Sequence, residues 1–416
     1  MADEHASSVR PLRVLEFYSG IGGMRYALKM AGVHADVVEA FEINEIANDV
    51  YEHNFGHRPN QGNIQRLTVQ QLDAYKAHSW LLSPPCQPYT RQGLRKDVDD
   101  SRAQSFLQML EMLSQMVSPP NYILVENVVG FENSVTHSQL IDVLEDAGFI
   151  CQEFILTPLQ LGIPYSRPRY FCLAKRKPLN FGQPDLNSCL LCQLGPLADH
   201  IKFLAHLPDV QQDNNLHNQT VCCRSISDFL ESDPCAIHDT GAPPLLRRAS
   251  EYGRGIDVSQ MELQQQLDAR ETASLLLEAD DDKWEHYKLP VNVVERWGDV
   301  FDIVTRDSRS CCCFTKSYGR YAKGTGSLLA TKNESALTQQ GTLDVSKGVP
   351  ITSLGLRYFT PQEIANLHSF PAEFSFPHYV SLRQRYALLG NSLSVAVVAA
   401  LLRYLYDVKS GSEGHP

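Results

Sequence analysis

This sequence lacks the features of membrane-spanning and exported proteins. No run of apolar residues approaches the ~18 residues that a helix needs to cross a bilayer, so we expect no transmembrane segment. The first residues, Met1 to Pro11, are polar and contain no apolar core, which argues against a signal peptide. These absences predict a protein of an intracellular, reducing compartment.

A disulfide framework is also missing. The chain has 11 cysteines, an odd number, and they are spread over 416 residues rather than set in a compact pattern. The pairs Cys189-x-x-Cys192 and Cys235-x-x-His238 have the spacing of zinc ligands, but a long polar stretch separates them. We therefore expect no metal site. The sequence also shows no internal repeat and no run of Lys and Arg typical of a nuclear signal.

Positive charge is scarce overall but locally concentrated. The net charge of −11 argues against a nucleic-acid partner, because phosphate binding needs Lys and Arg. However, residues 159–177 and 309–332 each carry five basic residues and no acidic one. In the second segment Phe314, Tyr318 and Tyr321 are interleaved with the cations, a pattern that suits stacking on unpaired bases. Two solvated strand faces would explain the same charges.

The first ~175 residues alternate short apolar runs with helical patterns, which predicts a parallel sheet of strand-helix-strand units. The predicted strands are Val14–Tyr18, Val37–Phe41, Trp80–Ser83, Tyr122–Val125, Phe149–Leu156 and Tyr170–Ala174. The predicted helices are Met24–Met30, Glu45–His53, Gln104–Met116 and Ser138–Asp146, with Val395–Tyr406 near the end. Residues 180–260 are polar and aperiodic, which predicts a loop-rich or disordered insertion. Further on, Thr360 and Pro361 form a helix-start signal.

A glycine-rich turn, Ser19-Gly20-Ile21-Gly22-Gly23, follows the first predicted strand. Glycines allow a sharp turn and let a ligand approach the start of a helix. Glu42 lies 22 residues after Gly20, at the end of the second strand, where an acidic residue can accept hydrogen bonds from ribose hydroxyls. These features predict an adenosyl ligand without separating NAD from S-adenosylmethionine.

The strongest candidate for covalent chemistry is Cys86, in Ser83-Pro84-Pro85-Cys86-Gln87-Pro88. Three prolines in five residues fix the backbone and produce a stiff loop that can aim a thiol at the ligand-binding edge of the sheet. A thiol becomes a good nucleophile when a cation or helix start lowers its pKa. The alternative is a buried, inert cysteine, but such a cysteine would not need a stiff, proline-rich loop.

Two further motifs end or begin predicted strands. Glu126, in Glu126-Asn127-Val128, lies at a strand exit, where partial desolvation favours the protonated carboxyl that can donate to a ring nitrogen. Arg167-Pro168-Arg169 precedes another strand, where a guanidinium can hold a carbonyl oxygen or a phosphate. Taken alone, each motif has an ordinary structural explanation.

Together and in this order, the motifs make the sequence resemble the cytosine-5 methyltransferases over nearly the whole chain. The matching pieces are Phe17–Gly23, Ser83–Pro88, Glu126–Val128, Arg167–Arg169 and Gly390–Ser392. The match is closest to the small branch that methylates aspartate tRNA, whose Cys-Phe-Thr signature resembles Cys313-Phe314-Thr315. Residues 1–8 and 186–235 have no counterpart in that pattern.

The resemblance implies a Rossmann-like α/β fold for S-adenosylmethionine-dependent methyl transfer, with a smaller inserted target-recognition domain. The expected division is a flexible terminus (1–10), a catalytic domain (11–178), a target-recognition domain (179–374) and a returning catalytic segment (375–416). The implied cofactor-binding residues are Tyr18, Ser19, Gly20, Ile21, Gly22, Gly23, Glu42, Ile43, Asn63, Ile64, Pro85, Asn391 and Ser392. Asn63 departs from the family, which often has an acidic residue contacting adenine there.

The resemblance also implies the chemistry. Cys86 would attack carbon 6 of cytosine, Glu126 would donate a proton at nitrogen 3, and Arg169 would bind the carbonyl oxygen with support from Arg167. The implied substrate-binding residues are Gln87, Arg91, Asn127, Cys313, Phe314, Thr315, Lys316 and Tyr318. The expected substrate is cytosine 38 in the anticodon loop of aspartate tRNA, because an unpaired base leaves its stack at the least cost.

The sequence is also compatible with other functions. A DNA cytosine-5 methyltransferase would use the same residues, and an inactive nucleic-acid-binding scaffold would keep the fold. An NAD or flavin oxidoreductase explains the glycines and Glu42 but not the Pro-Pro-Cys loop. We expect a monomer in the cytoplasm, with the nucleus as a second location, which binds tRNA, binds DNA weakly and does not bind membranes.

Overall fold

A mixed seven-stranded sheet forms the centre of the described structure. The computed structural model describes residues 10–85, 101–204, 223–231, 284–321, 323–338, 343 and 345–408. The main sheet has the order β2-β1-β3-β4-β6-β5-β7. Its strands are β1 (Leu12–Phe17), β2 (Ala35–Phe41), β3 (Ser79–Leu82), β4 (Tyr122–Val128), β5 (Phe149–Leu156), β6 (Arg169–Arg176) and β7 (Leu190–Leu191). The six strands predicted from the sequence are all present, with slightly different ends.

The expectation of a purely parallel sheet is wrong at one strand. β1 pairs in parallel with β2 and β3, and β3 pairs in parallel with β4, but β6 lies antiparallel between β4 and β5. A direct return without a crossover helix is possible between antiparallel strands but not between parallel ones. As a result, the start of β6 lies beside the end of β4, with Arg169 paired to Val128.

The sheet buries a separate apolar layer on each face. Successive residues of a strand point to opposite faces, so Val14 and Leu124 join one cluster while Leu15 and Val125 join the other. Both layers are covered by helices, as expected for a sheet whose strands are apolar on both faces. The helices are α1 (Gly23–Met30), α2 (Glu45–Phe55), α3 (Val69–Ala74), α4 (Ser101–Glu111), α5 (Val135–Asp146), α6 (Val291–Trp297), α7 (Pro361–Leu367), α8 (Leu382–Asn391) and α9 (Val395–Leu405).

The last helix returns to the first part of the chain. α9 packs against α1 in the larger apolar layer, and its residues are all buried. By length and composition alone, the 24 residues Leu382–Leu405 could cross a membrane, which the sequence analysis did not anticipate. However, 83% of the most apolar window is buried inside the protein, so these side chains form part of the core.

Part of the predicted insertion is ordered and joins this core. Residues 190–191 form β7 beside β5, and Phe181, Leu197 and Ile226 are buried in the larger layer. Residues 205–222 and 232–260 of the insertion lie outside the described residues. Cys235 and His238 are among them, and the described residues contain no cluster of three or more His, Cys, Asp or Glu suited to a metal.

A smaller region follows, with its own apolar cluster. The short strands β8 (Ile303–Val304) and β9 (Leu328–Leu329) pair in parallel, and Leu289, Val294 and Leu354 pack with them. The predicted helix start at Thr360 is present: the Thr360 side chain accepts from the Glu363 amide, and the Glu363 side chain accepts from the Thr360 amide.

This helix start contains a buried ion pair whose loss should destabilise the fold. Both terminal nitrogens of the Arg357 guanidinium donate to the Glu363 carboxylate, at 2.8 and 2.7 Å. The Glu363 side chain has no exposed surface. Glu363→Gln leaves a buried cation without its counter-charge, so the free energy of unfolding should fall by about 3 kcal/mol. Urea denaturation measures this. The exposed Glu373 provides the control Glu373→Gln, and equal stability of the two variants would contradict the prediction.

Candidate active site

A cavity of about 320 Å³ opens at the edge of the sheet where β1, β2, β3 and β4 end. Ligands of open α/β sheets bind at this edge. Of the predicted site residues, those that line the cavity are Tyr18, Ser19, Gly20, Ile21, Gly23, Glu42, Ile43, Pro85, Glu126, Asn127, Arg167, Arg169, Asn391 and Ser392. The sequence motifs therefore converge on one space, although they lie up to 374 residues apart (392 − 18).

Backbone geometry explains the glycine-rich turn. Gly20 and Gly22 have φ of 52° and 83°, in the left-handed region that favours glycine. A Cβ at Gly22 would also lie 2.2 Å from the Phe55 ring, so no larger residue fits. Gly22 therefore allows the turn to pack against Phe55, and it does not line the cavity.

Glu42 ties this turn to β2. One of its carboxylate oxygens accepts from the Gly20 amide at 2.9 Å, and the other accepts from the Asn44 amide at 2.8 Å. A carboxylate has about four acceptor positions, so two remain for hydroxyl donors of a ligand. Ser19 supplies another polar group, because its buried hydroxyl has no hydrogen-bond partner among the described residues. These groups fit a ligand that carries ribose hydroxyls.

The loop after β3 is anchored before it reaches the candidate nucleophile. Ser83 donates through its amide to the Phe17 carbonyl and through its hydroxyl to the Tyr18 carbonyl at 3.0 Å. The Asn127 amide group donates to the Pro84 carbonyl at 3.5 Å. Asn127 is 1% exposed and lines the cavity, so its side chain also holds this loop at the edge of the site. Cys86, Gln87 and Arg91 lie outside the described residues.

Glu126 and Arg169 lie together at one end of the cavity. Glu126 Oε1 lies 3.5 Å from Arg169 Nε, because the ends of the antiparallel strands β4 and β6 meet there. Burial raises the pKa of Glu126 above its ordinary value, although the charges of Arg169 and Arg167 oppose the shift. A carboxyl group that keeps its proton beside an open cavity can act as a general acid.

Arg167, which was predicted to support Arg169, makes most of its contacts within the protein. It is 3% exposed, and its guanidinium donates to the Gly390 carbonyl at 3.0 Å, to the Ser392 carbonyl and to Cys313 Sγ at 3.1 Å. Further donations go to the Phe314 carbonyl and the Tyr165 hydroxyl, both at 3.4 Å. Although Arg167 touches the cavity, most of its donors bind the protein itself. It therefore acts as a positioning residue that joins three segments of the site.

The predicted substrate-binding segment after Cys311 divides into buried and exposed residues. Cys311 forms an isolated bridge with Tyr165 rather than part of a strand. Phe314 and Tyr318 are 1% and 2% exposed and pack in the larger apolar layer. Their rings therefore anchor the loop to the core. Thr315 is half-buried and Lys316 is exposed, while Gly390 packs so closely that a Cβ would lie 2.3 Å from the Lys316 nitrogen.

Cys313 is the titratable group of this segment that contacts the site. Burial would raise the pKa of its thiol, but the charges of Arg167 and Arg169 and the hydrogen bond from Arg167 hold the pKa below its ordinary value. Cys313 does not line the cavity. No sequence pattern predicted the Arg167 contact, which joins residues 146 positions apart.

Two more predicted cofactor residues, Asn63 and Ile64, do not line the cavity. The Asn63 side chain accepts from the Gln65 amide at 3.0 Å and so begins a short helix, Ile64–Arg66. Ile64 is 7% exposed and packs in the second apolar layer. Some lining residues were not predicted, notably Asn44, Leu388 and Leu393, because their ordinary side chains belong to no motif.

Known proteins that are similar to this chain belong to the family that its motifs resemble. Residues 12–407 match the family model described as C-5 cytosine-specific DNA methylase. The chain is 39% identical over 413 residues to a bovine (Bos taurus) tRNA (cytosine(38)-C(5))-methyltransferase, covering 96% of this chain and 100% of the relative. It is 36% identical over 410 residues to a DNA (cytosine-5)-methyltransferase of Dictyostelium discoideum, covering 95% and 94%. Among solved structures, the S. pombe Dnmt2 methyltransferase is similar, with a TM-score of 0.68, 31% identity and coverage of 95% and 98%.

Proposed function

The chain belongs to the C-5 cytosine methyltransferase family, and from this premise we propose that it methylates cytosine 38 in the anticodon loop of aspartate tRNA. The methyl donor is S-adenosylmethionine, and Cys86 is the covalent nucleophile. The observation that carries the proposal is the single cavity in which Glu42 and the glycine-rich turn face Glu126 and Arg169. The choice of tRNA is supported by relatives named for cytosine 38 that are 39% identical over nearly the full chain.

The cofactor end of the cavity suits an adenosyl ligand. Glu42 would accept hydrogen bonds from the ribose hydroxyls, and the unpartnered Ser19 hydroxyl would bind another polar group of the ligand. Ile43, which is 69% exposed at the rim, would pack against the adenine. When bound here, S-adenosylmethionine supplies an electrophilic methyl group. Asn391 and Ser392 close this end, and Arg167 donates to the Gly390 and Ser392 carbonyls on either side of Asn391.

The opposite end suits the reacting base. The Cys86 thiolate adds to carbon 6 of the cytosine, which moves electron density to carbon 5 and toward nitrogen 3. Glu126 donates its proton at nitrogen 3, so no negative charge accumulates on the ring. Arg169, which lines the cavity beside Glu126, binds the carbonyl oxygen at carbon 2. After carbon 5 has taken the methyl group, it loses its proton to a base, the bond between sulfur and carbon 6 breaks to release the thiolate, and nitrogen 3 returns its proton to Glu126.

A second candidate substrate is DNA. The relative from Dictyostelium discoideum is named a DNA (cytosine-5)-methyltransferase and is 36% identical to this chain. The residues around the base would serve either polymer, because they contact the cytosine ring rather than the sugar. The two substrates differ in cost, however, since a duplex cytosine must break its pairing and stacking before it enters the cavity.

Tritiated S-adenosylmethionine distinguishes these substrates. The purified protein is incubated with aspartate tRNA, with the same tRNA carrying uracil at position 38, and with CpG-rich duplex DNA. We expect label on the first RNA and at most traces on the other two. Label mainly on the duplex would keep the chemistry and replace the substrate. Absence of label on every substrate would contradict the proposed activity.

A further inference from the structure

An exposed aromatic side chain follows the buried part of the recognition segment. Tyr321 is 53% exposed, and the Arg320 guanidinium lies over its ring at 5.1 Å from the centroid. Phe314 and Tyr318, the other aromatics of this segment, are buried. Of the three, Tyr321 alone presents its ring to solvent.

The backbone beneath Tyr321 is held firmly. Its amide donates to the Ser317 carbonyl at 3.2 Å, and its carbonyl accepts from the Thr325 hydroxyl at 2.5 Å. The preceding turn rests on Tyr318, whose ring meets the Tyr386 ring edge to face at 5.1 Å. Gly319 has φ of 75°, and a Cβ there would lie 2.8 Å from the Tyr386 ring. A side chain on so fixed a backbone loses little freedom when it binds a partner.

The same segment is attached to the rim of the cavity. Gly390, which lines the cavity, packs directly on the backbone of Thr315 and Lys316. Arg167 holds Cys313 and the Phe314 carbonyl from the other side. Tyr321 follows Lys316 by five residues, so its Cα lies within about 17 Å of that contact even along an extended chain.

The charges around Tyr321 are available to a partner. Lys316, Arg320 and Lys323 are exposed, and residues 309–332 include no Asp or Glu. Within the part of the chain that the structure describes, none of these three cations forms a salt bridge. An exposed ring among unpaired cations matches the requirements of a single-stranded nucleic acid, with a π face for a base and positive charge for phosphates.

We propose that Tyr321, backed by Arg320, is a stacking platform for an unpaired base of the RNA substrate other than the target cytosine. Lys316 and Lys323 bind the adjoining phosphates. This inference rests on the proposed function, because it takes an RNA loop as the substrate. The platform would hold a neighbour of the target nucleotide, so it contributes to substrate affinity and leaves the chemical step alone.

The test compares Tyr321→Ala, Tyr321→Phe and Tyr379→Ala, since Tyr379 is a similarly exposed tyrosine outside this segment. Stacking on an aromatic side chain is worth about 1–3 kcal/mol per base, so Tyr321→Ala should raise KM for the aspartate anticodon stem-loop about 5- to 150-fold. kcat and the affinity for S-adenosylhomocysteine should stay unchanged. Tyr321→Phe keeps the π face and should match the wild type, as should Tyr379→Ala.

A second arm identifies the partner base. Abasic nucleotides are placed one at a time in the stem-loop, leaving the target cytosine intact. At one of these positions, the abasic stem-loop should raise the KM of the wild type to the value that Tyr321→Ala shows with the intact stem-loop. The same abasic stem-loop should not raise the KM of Tyr321→Ala further. A KM within twofold of wild type for Tyr321→Ala, or equal losses for the Phe and Ala variants, would overturn the platform. If the wild type methylates no RNA, the proposed function fails, and stem-loop binding measured by fluorescence anisotropy still decides whether Tyr321 stacks a base.

Discussion

Replacing Cys86 with alanine is expected to lower the rate of methyl transfer to tRNA by about 10⁴-fold or more, as when other enzymes lose a covalent nucleophile. Carbon 5 of cytosine is too weak a nucleophile to take a methyl group directly, and only addition of a thiolate at carbon 6 activates it. Single-turnover transfer of tritium measures the rate. Cys192→Ala removes an exposed thiol that does not line the cavity and should keep full activity.

The covalent step can be observed separately. In a stem-loop with 5-fluorocytosine at position 38, carbon 5 carries fluorine in place of the proton that must leave, so the bond to sulfur should persist. The wild type should then form an adduct that survives denaturing electrophoresis, and Cys86→Ala should form none. If Cys86→Ala kept a tenth of the wild-type rate, the nucleophile would have to be another residue.

Replacing Glu126 with glutamine should reduce kcat by about 10²- to 10⁴-fold, the usual contribution of a general acid. Glutamine can still donate a hydrogen bond to nitrogen 3 but cannot transfer a proton. Because burial raises the pKa of Glu126, the wild type keeps the required proton to a higher pH than an exposed carboxyl would. The wild-type rate should therefore fall as the pH rises through this pKa, and the variant should lack that limb of the profile.

Controls separate this effect from damage to the fold. Glutamine is neutral, like the protonated carboxyl that burial favours at this site, so the melting temperature of Glu126→Gln should not fall. Affinity for S-adenosylhomocysteine should also be retained. Glu145→Gln, on the exposed side of α5, is the matched control. If Glu126→Gln kept kcat within threefold of wild type, or kept the same pH profile, Glu126 would not be the acid.

The sequence predicted the strands and their carboxyl ends well, for local reasons. Apolar runs marked the strands, and the residues at their ends, such as Glu42 and Glu126, then had to meet at one edge. The helix start at Thr360 was equally local, since its capping residues lie within four positions. The direction of a strand cannot be predicted from its local sequence. The apolar run of β6 is compatible with a parallel or an antiparallel sheet, and only its pairing with β4 and β5 determines its direction.

The contacts at the site that the sequence did not predict have a common physical origin. Phe314 and Tyr318 were predicted to face a substrate because they alternate with cations, but burial depends on the distant Tyr386 and Phe359 that cover them. Arg167 was predicted to support Arg169, but the sequence did not indicate its partners at Gly390 and Ser392, which are more than 220 residues away. Contacts at that separation leave no periodic signal in the sequence.

Position-resolved bisulfite sequencing tests the central claim most directly. Unmethylated aspartate tRNA is incubated with S-adenosylmethionine and either the wild type or Cys86→Ala, and each cytosine is then scored for resistance to conversion. The account predicts resistance at cytosine 38 with the wild type and at no cytosine with the variant. Resistance at other cytosines but not at 38, or the same pattern with both proteins, would contradict it.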